Sequence, residues 1–209
     1  MQNMKQIEPE ELTLEDGRIL VKKARESVEK AFIYEEAKIN DVPEKLRRPG
    51  AAFVTINIIK NRKKELRGCI GYVKPVYPLI QTVIEVAREA AFNDPRFPPL
   101  QRREYPFTHF EVSVLSGMRE LPRDPEERLK SIVMGKMGLM VVRGIFSGLL
   151  LPQVPIEEGW DKETFLEYTC YKAGLEGSCW KDEKTEFYYF VARVFEEKYP
   201  FGEIIEKEL

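Results

Sequence analysis

The sequence predicts an α+β fold built on a mainly antiparallel sheet, and three observations predict it. Stretches of apolar–polar alternation cluster between helical stretches. The connection between the first two such stretches is a short polar run. A chain of 209 residues, 43% hydrophobic and 11% aromatic, can bury a sizeable core. A βαβ nucleotide-binding fold needs parallel strands joined by crossover helices and fits this order less well.

Thr13 followed by Asp16 forms a capping-box pattern that opens a helix with Leu20, Ala24, Val28, Ala31 and Phe32 on one face. Its other face carries Lys22, Lys23, Glu26 and Lys30, so it packs on one side only. After Pro49-Gly50, the alternation of Ala52, Val54, Ile56 and Ile58 gives a strand with one apolar face. The polar run Lys60–Glu65 reads as a hairpin connection into a second strand, Leu66–Tyr72. Pro78 suits a first helical residue, ahead of a stripe of Leu79, Ile80, Val83, Ile84, Ala87, Ala90 and Ala91. Asn93-Asp94-Pro95 ends that helix, because proline disfavours helical geometry in the residue before it.

From His109 to Leu115 the alternation returns, with Phe110, Val112 and Val114 on one face and His109, Glu111 and Ser113 on the other. Asp124-Pro125 starts a short helix, and Met137–Arg143 reads as a strand, followed by a turn at Gly144. Asp161 caps a helix with Phe165, Leu166, Thr169, Cys170 and Ala173 inward, closed by Gly174. Phe187–Phe195, apolar on both faces, is a central strand. The loop-rich stretch 117–160 is the candidate for a smaller lobe within one domain of 1–209.

Composition excludes several classes. The net charge of −2 provides no basic field for nucleic acid or an anionic membrane, and direct nucleic-acid binding is not expected. The acidic N-terminal stretch is no signal peptide, and no apolar run is long enough to span a bilayer. Three cysteines, an odd number, make no disulfide framework, so a reducing compartment, the cytoplasm, is expected. A zinc site from Cys69, Cys170, Cys179 and His109 lacks the close ligand pairs such sites use, so no metal or other cofactor is expected. The 33% of charged residues fits the surface ion pairs of a heat-adapted protein.

The segment most suited to chemistry is Leu66-Arg67-Gly68-Cys69-Ile70-Gly71. With period 2, Arg67, Cys69 and Gly71 share a face, so the Arg67 guanidinium stands beside the Cys69 sulfur and favours its thiolate. Gly68 and Gly71 weaken a strand, a cost usually offset by close approach of another backbone or a ligand. The bland alternative is a packed cysteine with a glycine bulge. Downstream, the prolines of Asn93–Leu100 fix a loop that presents Asp94, to orient Arg67 or act as a base, and Arg96, to clamp a carboxylate or phosphate. A plain turn contact between Asp94 and Arg96 explains the same residues. His109 is a candidate base for Cys69, or a structural histidine.

The hexapeptide Leu66–Gly71 resembles the signature of the AMMECR family. The likeness continues through Ala90–Leu100, Glu111–Ser116 and Leu149–Val154. The resemblance implies an antiparallel sheet flanked by helices, a smaller lobe, and the hexapeptide lining a cleft between the two. It implies no established reaction. Association of family members with Memo-type and radical-SAM proteins implies a shared pathway acting on a small molecule or a nucleic-acid base. Two expectations follow. In one, the chain is an enzyme with Cys69 as thiolate, Arg67 lowering its pKa, Asp94 orienting or taking a proton, and Gly68, Gly71, Arg96, His109 and Gln153 binding substrate. In the other, the same cleft binds a Memo-like or other protein and no bond is broken.

Overall fold

A computed structural model describes residues 5–39, 41–60 and 63–208. Among them, five α-helices and eight strands make an α+β fold in which every strand pairing found is antiparallel. The chain divides into two compact units. The first comprises the chain up to Leu115 together with Arg193–Glu208, and the second Ser116–Ala192.

In the first unit, α1 (Leu14–Ala31) starts at Thr13, where both hydrogen bonds of the capping box with Asp16 are formed. β1 (Ala51–Lys60) pairs with β2 (Lys63–Tyr72) on one side and β3 (Thr108–Leu115) on the other. The polar run 60–65 is mostly strand: Lys60 pairs with Lys63, and the remaining hairpin positions, Asn61 and Arg62, lie outside the described residues. α2 (Leu79–Phe92) begins one residue later than expected, because Pro78 is extended and serves as the N-cap. Ala52, Val54 and Ile56 of β1, Phe110, Val112 and Val114 of β3, and Leu20, Ala24, Val28, Ile80, Val83 and Ala87 of the helices are buried together in one core. Each Val, Leu, Ile or Phe among them contributes roughly 1.5–3 kcal/mol, and each Ala less. Arg25 on the buried side of α1 is unusual there. It is held bidentately by Glu197 at 2.6 Å, with its guanidinium 3.8 Å from the Phe201 ring centroid.

The second unit holds β4 (Arg119–Glu120), α3 (Pro125–Ser131), β5 (Met137–Arg143), β6 (Phe146–Leu150), α4 (Val154–Glu157) and α5 (Lys162–Lys172). β7 (Glu186–Glu197) contributes residues 186–192 here and 193–197 to the first unit, where it pairs with β8 (Ile204–Glu206). Asp124 and Asp161 cap α3 and α5 through Glu127 N and Thr164 N. Gly144, at φ +61°, makes the tight turn between β5 and β6. A separate core joins Leu139, Val141, Phe165, Leu166, Trp180 and Phe187.

The cysteine count misled. Cys170 of α5 and Cys179 are joined by a disulfide, and Cys69 is the free thiol. An odd number of cysteines permits one bridge plus one free thiol. Closing a loop of about ten residues stabilises by roughly 2.5 kcal/mol in the chain-entropy account. None of the helices among the described residues is long and apolar enough to cross a membrane.

Candidate functional site

The hexapeptide runs along β2, and its alternation is interrupted. Ile56 pairs with Gly68 and Asn57 with Leu66, so Arg67 is the extra residue of a β-bulge. Leu66 is consequently 43% exposed and Arg67 9%. The Arg67 guanidinium goes to the loop after α2, donating to Glu104 from Nε at 3.0 Å and from Nη2 at 3.1 Å. That pairing holds the Glu104 carboxyl below its ordinary range. The expected neighbour of the Cys69 sulfur is therefore not there, and the guanidinium acting on it is that of Arg96.

Around Cys69 three contacts converge. Its backbone N–H donates to Asp94 Oδ2 at 2.8 Å, its carbonyl accepts from Arg96 Nη2 at 3.1 Å, and Thr55 Oγ1 donates to its Sγ at 3.3 Å. Asp94 also accepts from Arg96 Nε and Nη2 at 2.9 and 2.7 Å. The hydrogen-bonded Arg96 holds the Asp94 carboxyl down at about 2 despite its burial. Asp94 thus does not hold Arg67, which is bonded to Glu104; it is an anion that ties the loop after α2 to the strand. Burial pushes the Cys69 thiol up, with Glu111 and Asp94 adding to the shift and Thr55 and Arg96 opposing it. The sulfur is half-buried and carries its proton at rest.

Both glycines are required by protein atoms. A Cβ on Gly68 would lie 1.9 Å from the Ala90 carbonyl of α2, and one on Gly71 would meet the Phe53 ring at 2.3 Å. The close approach expected at Gly68 is that of a backbone.

Across the sheet, Thr55 pairs with Cys69 on β2 and Glu111 on β3, giving the row Cys69–Thr55–Glu111. Phe53, with Gly71 and Ser113, and Asn57, with Leu66 and His109, flank that row on the same face. Glu111 is 5% exposed and bonds Lys207 Nζ at 3.1 Å. His109 is fully buried, its Nε2 3.6 Å from Glu196 Oε2, an oxygen that Lys64 holds at 2.7 Å. Burial, then the Lys64 charge, lowers the His109 pKa against the pull of Glu196, so the imidazole is neutral. Neither ring nitrogen makes a well-formed hydrogen bond among the described residues, and the same holds for Ser113 Oγ.

Gln153 lies in the second unit, buried, at the start of α4. Cys69, Asp94, Arg96 and Gly68 form one cluster, Arg67 is turned to Glu104, and His109 sits one row away from the sulfur. Sequence reasoning missed Thr55, Glu104, Lys64, Glu196 and Lys207. Thr55 and Asn57 carried a signal, as the polar residues on the reverse of an apolar strand face; Glu104 and Glu196 carried none. Among the described residues no group of three or more His, Cys, Asp or Glu is placed to hold a metal.

The comparisons with known proteins agree with this architecture. The AMMECR1 family matches residues 21–195. A protein of Aeropyrum pernix is 46% identical over 203 residues, covering 97% of this chain and 88% of its own. Protein NEQ441 of Nanoarchaeum equitans is 50% identical over 180 residues, 85% of this chain and 98% of its own. The crystal structure of uncharacterized protein PH0010 from Pyrococcus horikoshii superposes with a TM-score of 0.89 at 45% identity, covering 93% of this chain and 98% of that one. On the extent of these matches, the chain belongs to the AMMECR1 family.

Proposed function

We propose that the chain is an enzyme acting on a small molecule or a modified nucleobase, with Cys69 as the reacting group, in a pathway shared with Memo-like and radical-SAM proteins. One observation carries the reading: the row Cys69–Thr55–Glu111 puts a thiol, a hydroxyl and a carboxylate side by side on a sheet face whose reverse holds the apolar core around Val54, Ile56 and Val112. Polar groups at such positions cost folding energy that hydrocarbon would not, and active sites are where proteins accept that cost. Arg96, with its side chain 46% exposed, is the cation that favours the thiolate and meets an anionic substrate group. We read the protein as heat-stable, which its charged surface and internal disulfide support, and as cytoplasmic, a reading that no longer draws on its cysteines because Cys170 and Cys179 are bridged.

The test is the rate of iodoacetamide alkylation between pH 6 and 10, followed by intact mass. With Cys170 and Cys179 bridged, one addition reports Cys69 alone. The expected result is a single addition whose apparent pKa moves higher in Arg96→Ala. A sulfur that resists labelling across the whole range cannot meet a substrate, and the reading falls.

The raised thiol favours a second reading, a non-catalytic interaction module. The charged groups near the hexapeptide are already satisfied within the fold, Arg67 by Glu104 and Asp94 by Arg96. Co-purification with a Memo-like protein that survives Cys69→Ala and fails in Arg96→Glu decides for it.

A further inference from the structure

We propose that the ligand of this face is a planar bicyclic nitrogen heterocycle of purine size, stacked on Phe53 and hydrogen-bonded at its far edge by Asn57. The inference rests on the reading of the Cys69 face as a small-molecule site and names its substrate class.

Three observations carry it. Phe53, Thr55 and Asn57 are half-exposed, whereas Ala52, Val54 and Ile56 between them are fully buried, so β1 presents one accessible row. The Phe53 ring occupies the space that a side chain at Gly71 would take, which lays an aromatic surface across β2 beside Cys69. The polar groups around the ring are under-used. Ser113, the other cross-strand neighbour of Phe53, is 1% exposed with no partner for its Oγ among the described residues. The Asn57 amide makes no hydrogen bond there either.

An aromatic ring gives sequence-tolerant stacking to any flat heterocycle. An Asn amide offers one acceptor and two donors, the complement of the amidine or lactam edge of a nucleobase. At roughly 3.3 Å per residue, Phe53 and Asn57 are about 13 Å apart along the strand, with the Cys69–Thr55–Glu111 row between them. A bicyclic ring stacked on Phe53 reaches further toward Asn57 than a single six-membered ring does. The ring then lies over the sulfur.

Saturation-transfer NMR on the full chain tests this with adenine, hypoxanthine, uracil and the non-planar amide cyclohexanecarboxamide as probes. Saturable transfer to at least one of the two purines is expected, and none to the other two compounds. Phe53→Leu and Asn57→Leu, both at half-exposed positions, should each weaken purine binding roughly tenfold, with circular dichroism confirming the fold. Absence of transfer to both purines, equal transfer to cyclohexanecarboxamide, or undiminished binding in folded Phe53→Leu overturns the inference. The two proposals fail separately: purine binding to a protein whose Cys69 cannot be alkylated keeps the ligand class and removes the enzyme. Alkylation with no purine binding does the reverse.

Discussion

The two faces of β1–β2–β3 are built from the same three strands and serve opposite ends. Toward α1 and α2 they present Ala52, Val54, Ile56, Phe110, Val112 and Val114, all fully buried, with Gly68 allowing α2 to approach. On the reverse they present Thr55, Asn57, Cys69, Glu111, His109 and Ser113. Burial is nearly as deep on the β3 part of this second face, with His109 at 0%, Ser113 at 1% and Glu111 at 5% exposure. Depth therefore does not distinguish the faces; the fate of the polar atoms does. On the first face the few polar atoms are satisfied: Thr108 Oγ1 accepts from Arg25 and donates to the Tyr105 carbonyl, and the Tyr72 hydroxyl donates to Glu85. The second leaves His109 and Ser113 without well-formed hydrogen bonds, a cost of about 1–3 kcal/mol for each unmet group. One face contributes stability and the other costs it.

Substitutions sharpen the contrast. Ile56→Ala opens a cavity in the apolar face and should lower unfolding free energy by about 2–5 kcal/mol in urea titrations. Gly68→Ala drives a methyl against the Ala90 carbonyl and should cost about 3 kcal/mol, read as a fall in Tm without loss of β-structure. Asp94→Asn removes the anion that anchors Cys69 and Arg96. Because the folded carboxyl titrates at about 2, against about 3.9 when unfolded, its stabilisation is fully present above pH 5 and is lost as pH falls toward 2. Wild type and Asp94→Asn should differ by about 2 kcal/mol at pH 7 and converge by pH 2. Ser113→Ala should be neutral or stabilising by a few tenths of a kcal/mol, since it removes a hydroxyl that finds no partner. Loss of more than about 1 kcal/mol there would show that the second face contributes to folding in the same way as the first.

Most elements could be read from local chemistry. Thr13, Asp124 and Asp161 mark helix starts because each cap is completed within three residues. Met137–Arg143 and the Gly144 turn were legible for the same reason. The site was legible only in part. Cys69, Asp94 and Arg96 come together as the hexapeptide and the Asn93–Leu100 loop suggested, but with exchanged roles. Arg67 and Arg96 each sit within reach of a carboxylate in the fold, and local sequence shows only the Asp94 of Arg96, not the Glu104 of Arg67. The disulfide was missed because Cys170 reads as one more apolar position on α5.

By itself the sequence determined the α+β class, the helix caps, the alternation that separates the two faces of β1 and β3, and the family. These depend on contacts a few residues apart or on a motif read whole. Tertiary structure alone decided which cation faces the sulfur, which carboxylates neutralise Arg67 and Arg25, and which polar atoms are buried without partners. A single bulge opposite Ile56 and Asn57 breaks the period of β2, and the partners Glu104, Glu196 and Glu197 arrive from residues 37 to 172 positions away. Such distances leave no periodicity in the chain to read.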